Sequence, residues 1–142
     1  MKNVCKAHHC TSCCYGTEMP LLRADVQRLV LLGFKEEFFT VESDGFKILK
    51  NSSHGRCVFH DGKQCTIYPD RPNGCKLYPV IFDEDQNHPV KDELCPFRNE
   101  FGLSPRTGQE LTDVYTKLIE ERQDRNKDDR RKRHMQKASP VQ

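Results

Sequence analysis

The stretch CVFHDGKQCTIYPDRPNGCKLYP, residues 57–79, decides the fold of this chain, because it places three cysteines among turn-forming residues. A central Asp-Gly pair stands between two runs of β-prone residues, a pattern that favours a tight hairpin. The arms of this hairpin would carry Cys57 and Cys65. The prolines and glycine that follow exclude a long helix but allow a short helical turn over residues 70–76, which would present Cys75.

Regular elements are predicted on both sides of this stretch. Upstream, apolar residues at helical spacing that end at a glycine predict a helix over residues 23–32. A short helical turn over 35–39 and a strand over 46–49, rich in bulky apolar residues, are expected next. Downstream, residues 80–82 and the region before Cys95 can form a second short strand pair.

The C-terminal region predicts one amphipathic helix and a polar tail. A Thr-x-x-Glu capping box precedes apolar residues that repeat on one face, which predicts a helix over about 108–125. Residues 126–142 are basic, lack an apolar face and are predicted to be disordered. We therefore expect a small, cysteine-rich, metal-stabilised α+β domain with short β-hairpins and an N-terminal-half helix over residues 1–106, a C-terminal helix packed on it over 107–125, and a disordered tail.

The composition indicates a modest apolar core and a reducing compartment. Hydrophobic residues make up 35% of the 142 residues, charged residues make up 31%, and there is no Trp, so a further element should help to hold the fold together. No stretch approaches the ~20 apolar residues of a membrane span, and the N-terminus lacks the apolar core of a signal peptide. We expect a cytoplasmic protein without a membrane partner, in which eight cysteines indicate metal or redox chemistry rather than disulfides.

The spacing of the cysteines predicts a metal centre. Cys10 and Cys13 form a CxxC pair that a tight turn can direct at one metal. Cys14 points another way in extended chain, so one of the adjacent pair is expected to serve a second site or another face of a cluster. The candidate ligands are Cys5, Cys10, Cys13, Cys14, Cys57, Cys65, Cys75 and Cys95. Eight thiolates suffice for two zinc sites or for one iron–sulfur cluster with cysteines to spare, and the sequence leaves both open.

The chain resembles the YkgJ-type cysteine-cluster family, described as a zinc- or iron-chelating domain. The similarity lies in CTSCC at 10–14, RCVF at 56–59, CTIYPDRPNGCKLYP at 65–79, Cys95 and the FGLSP that follows at 101–105. Its most specific part is the pattern C-x-I-Y-x-x-R-P-x-x-C over residues 65–75.

The resemblance implies which residues bind the metal. The family's cysteine positions correspond to Cys10, Cys13, Cys14, Cys57, Cys65, Cys75 and Cys95. Cys5 departs from the pattern, because the family's spacing would put the first cysteine at Ala7. A looser loop can absorb that shift, or His8 or His9 can ligate instead.

The resemblance also suggests a reaction. Some members are described as flagellin lysine N-methylases with an iron–sulfur centre, which would make this chain a related iron–sulfur component. The chain shows no glycine-rich loop for S-adenosylmethionine, and the spacing of Cys5, Cys10 and Cys13 misses the C-x3-C-x2-C of radical enzymes by one residue. No complete catalytic constellation is visible, and His54 and His60 are interpreted as surface residues of the hairpin.

Two functional hypotheses follow from these residues. In the first, an iron–sulfur cluster gives a redox or accessory role, with an electron donor or another protein as partner. In the second, zinc stabilises a module whose C-terminal helix and basic extension bind a protein or nucleic acid. Residues 121–142 carry 8 basic and 4 acidic side chains, and the interspersed acids and the lack of aromatic residues make nucleic acid the less favoured partner.

Overall fold

Short elements joined by irregular loops make up the part of the chain that the computed structural model describes, residues 12–138. Their order is a 3-10 turn at Ser12–Cys14, α1 at Arg23–Leu31, α2 at Glu36–Phe39, β1 at Thr40–Ser43, β2 at Phe46–Leu49, a 3-10 turn at Tyr68–Asp70, α3 at Asn73–Leu77, β3 at Val80–Asp83, β4 at His88–Lys91, a 3-10 turn at Arg98–Glu100 and α4 at Pro105–Ala138. The α+β class predicted from the sequence is confirmed.

Two antiparallel hairpins supply the sheet structure. In the first, β1 pairs with β2 so that Thr40 lies opposite Leu49, and the connecting Asp44 and Gly45 both have positive φ. Two consecutive residues of positive φ give a turn whose twist matches that of the strands, which is why Asp-Gly suits this position. In the second hairpin, β3 pairs with β4 where the sequence predicted a strand pair.

The core lies between α1, α2, β2 and the loop that follows β2. It is built from Leu21, Val26, Leu29, Phe39, Leu49, Cys57, Phe59 and Ile67. Phe59 is 2% exposed, and its ring meets the ring of Phe34 edge-on at a centroid distance of 5.0 Å. Because Phe59 is two residues from Cys57, burial of this aromatic ring fixes the segment that carries the cysteine.

The predicted hairpin over residues 57–65 is wrong. Within this segment an isolated antiparallel bridge joins His60 to Cys65, while Cys57 bridges Asn51 instead, so two paired strands do not form. The Asp61 carboxylate accepts hydrogen bonds from the backbone N–H groups of Lys63 at 2.8 Å and Gln64 at 2.9 Å. These local bonds use backbone donors near the turn, so the Asp-Gly pair closes a compact loop instead of a regular hairpin.

The C-terminal helix is longer than predicted. α4 runs to Ala138, so residues 126–138 continue the helix that was predicted to end near residue 125. Arg, Lys and Gln are good helix formers, which favours this continuation. The division of the chain into a domain, a packed helix and a tail stays a prediction.

The packed half of α4 lies against the second hairpin. The ring of Tyr115 stacks on that of Phe82 at a centroid distance of 4.0 Å, and Leu111 and Leu118 are buried. Within residues 12–138, α4 is too polar, and the other helices too short, to cross a membrane.

Candidate metal centre

Five of the predicted ligands surround one cavity of about 330 Å³, which we term the cysteine cavity. They are Cys13, Cys14, Cys57, Cys65 and Cys75. Among them Cys57 is buried and Cys13 is exposed, while the others are half-buried. The fold therefore brings together cysteines from two separate stretches of the sequence, residues 13–14 and residues 57–75.

The N-terminal turn is tied directly to the segment that carries Cys57. The N–H of Cys57 donates to the carbonyl of Cys14 at 2.6 Å, and Tyr15 forms a β-bridge with Arg56. One residue further along, the N–H of Gly16 donates to the carbonyl of Gly55 at 2.8 Å. These backbone bonds place the adjacent pair of cysteines against Cys57.

The short helix α3 presents Cys75 because α1 holds its start. Asp25, which is 0% exposed, accepts a hydrogen bond from the N–H of Asn73 at 3.1 Å. Arg28 of α1 donates to the carbonyl of Arg71 at 2.8 Å. A helix of five residues such as α3 is marginal alone, so these two contacts determine where its cysteine lies.

The thiols around the cavity do not ionise alike. A hydrogen bond donated by Cys14 lowers the pKa of Cys13 to about 7, and the Arg71 guanidinium adds to this effect. The same hydrogen bond, together with burial, raises the pKa of Cys14. Burial is also the main cause that raises the pKa values of Cys57, Cys65 and Cys75. A metal cation must displace the protons of these thiols when it binds, so the raised pKa values make its affinity depend on pH.

Arg71 is held in position at the cavity wall. Its guanidinium lies over the ring of Tyr68 at 3.7 Å from the centroid, and its Nε donates to the carbonyl of Tyr68 at 2.9 Å. Both residues line the cysteine cavity. The stacked cation is thus held near the cysteines, and its charge acts to lower the pKa values of Cys13 and Cys65.

The remaining predicted ligands lie elsewhere. Cys95 is buried and lines a neighbouring, larger cavity of about 700 Å³, which Cys13 also borders. Cys5, Cys10, His8 and His9 lie outside the described residues. Within residues 12–138, no three Cys, His, Asp or Glu side chains come together closely enough to hold a single metal ion.

The burial of one residue near the cavity was predicted wrongly from the sequence, and the role of another was not predicted. His60 was expected at the surface but is buried at 6% exposure, because the loop folds it against the ring of Tyr15 at 5.5 Å. Asp25 was not singled out, since a carboxylate in the first turn of a helix normally caps it at the surface. Its position beside a run of apolar residues was the available signal.

One of the comparisons with known proteins identifies a family. The family model described as "CxxCxxCC: Putative zinc- or iron-chelating domain" matches residues 4–96, and the chain belongs to this family. Metal binding is accordingly the general function that the family description supports. No curated protein and no solved structure matches the chain significantly.

Proposed function

We propose that this chain holds an iron–sulfur cluster in the cysteine cavity and acts as a redox or accessory protein in the cytoplasm. The observation that carries the proposal is that five cysteines surround a cavity instead of meeting at one point. A zinc ion needs four donors at about 2.3 Å from one centre. A cluster spreads its cysteine ligands over several irons, which suits more widely separated thiols.

The ligands of the cluster would come from the five cysteines of the cysteine cavity and from Cys10, the CxxC partner of Cys13, and four thiolates would suffice. Cys95 stays a predicted ligand from the sequence. When bound, the cluster would supply one-electron transfer. The thiols fit this group chemically, because thiolates are the normal ligands of iron–sulfur clusters.

The walls of the cavity suit such a centre. Leu49, Phe59 and Ile67 are buried and line it from the core side, where they keep water away from the sulfurs. Exclusion of water and local charge both tune the potential of a protein-bound cluster. Cys13 lies at the exposed edge, and this edge is where an electron donor or acceptor could approach.

The experiment is the metal and acid-labile sulfide content of protein purified without oxygen, recorded with its visible absorption spectrum. Iron and sulfide in comparable amounts, with broad charge-transfer absorption, are the expected result. Zinc alone in a colourless protein would contradict the proposal.

A zinc-stabilised interaction module is the second candidate, and the length of α4 favours it. Residues 126–135 form an exposed helical extension, and Arg130, Arg131, Lys132 and Arg133 give it a basic run. In this reading the extension binds an acidic protein or nucleic acid, and the metal serves only to stabilise the fold. Salt-sensitive binding of a nucleic acid that is lost on removal of residues 126–142 would support it.

A further inference from the structure

A buried histidine beside the cysteine cavity has a hydrogen-bond donor without an acceptor. The Nδ1 atom of His60 accepts a hydrogen bond from the N–H of Gly62 at 3.1 Å. In a neutral ring this bond leaves the proton on Nε2. That nitrogen is fully buried, and no group in the described part of the chain pairs with it. Unpaired buried donors are rare in folded proteins, so this one requires an explanation.

The backbone places His60 on the same side as a cavity cysteine. His60 and Cys65 form an antiparallel bridge, and directly opposed residues of such a pair project to the same face. The N–H of His60 also donates to the carbonyl of Cys57 at 2.8 Å. The backbone of His60 is therefore adjacent to two of the cysteines that surround the cavity, and its imidazole projects to the same face as the side chain of Cys65.

A second unpaired donor lies in the same corner. The Nε of Arg56 is buried and has no partner among the described residues. The guanidinium of Arg56 passes close to Gly62, since a Cβ built on that glycine would lie 2.6 Å from its Nη1 atom. Two buried donors thus flank the cysteine segment, which is the arrangement expected where an anionic acceptor is to be stabilised.

We propose that His60 is a positioning residue whose Nε2–H donates to a metal-bound cysteine sulfur, that of Cys65 in the first instance. The inference rests on the proposed function. A neutral thiol is a weak acceptor, whereas a metal-bound thiolate carries the negative charge that makes a hydrogen bond strong. The bond therefore forms when the centre is loaded, and the Gly62 contact and the Tyr15 ring fix the imidazole in the orientation that it needs.

The consequence is a shift in redox behaviour. Hydrogen bonds to ligating sulfurs withdraw electron density and favour the reduced cluster, so their removal lowers the reduction potential. The test compares His60→Phe, which has no donor, with His60→Gln, which keeps an amide donor. His54→Phe is the matched control, since His54 lies in the same loop and is exposed.

Reduction potentials are measured by anaerobic titration of the loaded proteins, followed by visible absorption. We expect His60→Phe to lower the reduction equilibrium constant about tenfold, or about 59 mV for one electron, with partial recovery in His60→Gln and no change in His54→Phe. Equal potentials in His60→Phe and wild type would overturn the inference. So would equal shifts in His60→Phe and His60→Gln, which would show that the donor plays no part.

The same variants separate this inference from the proposed function. If the wild-type protein contains zinc alone, the proposed function fails, and the zinc dissociation constant becomes the readout. His60→Phe should then raise that constant about tenfold or more, as the loss of a hydrogen bond to a metal ligand typically does. An unchanged zinc affinity would overturn the inference in that case.

Discussion

Replacement of Asp25 by Ala should destabilise the fold and the metal centre together. The Asp25 carboxylate accepts hydrogen bonds from the N–H of Leu22 at 3.0 Å, the N–H of Asn73 at 3.1 Å and the Arg28 guanidinium at 3.1 Å. It thereby joins the start of α1 to the start of α3. The variant leaves all three donors without this acceptor.

The expected loss follows from the burial of the two charged groups. Removal of one member of a buried ion pair costs about 3–5 kcal/mol. The side chain of Asp25 is 1% exposed, but that of Arg28 is 31% exposed and can recover part of its hydration. We therefore expect a loss near the lower limit, about 3 kcal/mol, a large fraction of the ~5–15 kcal/mol by which domains of this kind are stable.

The assay is urea unfolding of wild type and Asp25→Ala, with metal content measured on the same samples. Asp124→Ala is the control, because Asp124 pairs with Arg23 at 3.8 Å on an exposed surface and should change the stability by less than about 0.5 kcal/mol. Metal affinity should also fall by about tenfold or more in Asp25→Ala, since α3 carries Cys75. A stability loss below about 1 kcal/mol would refute the role assigned to Asp25.

Three further changes probe how the fold is held. Glu121→Ala should lower the free energy of unfolding in urea by about 1–3 kcal/mol, because this buried carboxylate accepts a hydrogen bond from the first N–H of α1 at 2.9 Å. The control Glu120→Ala, at an exposed position, should change that free energy little. Phe59→Ala should lower the free energy of unfolding by about 3–5 kcal/mol in the same assay, and Phe38→Ala, at a half-exposed position, should lower it clearly less. Equal losses would contradict the core described above. Deletion of residues 126–142 should leave the melting temperature within about 2 °C, and a larger fall would show that the helical extension packs on the fold.

The sequence predicted the elements whose patterns are local. The helix at α1 has clear apolar spacing, and α1 and β3 each end within one residue of the expected bound, while β4 lies in the region before Cys95 where a strand was expected. The short helix at Cys75 was likewise indicated by the prolines on either side of it. These features depend on neighbouring residues, which a single sequence displays directly.

The predictions that were wrong concern features that depend on distant contacts or on competition between local hydrogen bonds. The loop at 57–65 has the composition of a hairpin, but the Asp61 side chain bonds the backbone of the turn, and Phe59 is drawn into the core. The contact of His60 with Tyr15 and the hydrogen bond from Asn73 to Asp25 join segments that lie far apart in sequence. No pattern along the chain records such pairings, so they had to be seen in three dimensions.

The most direct test of the metal centre is the metal content of Cys65→Ser and Cys75→Ser beside wild type, all purified without oxygen. His54→Ser, a change at an exposed position of the same region, is the control and should keep its metal. We expect each cysteine variant to lose most of its metal and to melt at a lower temperature, because metal binding contributes folding free energy in small domains. Metal content and melting temperature equal to those of wild type in both cysteine variants would contradict it.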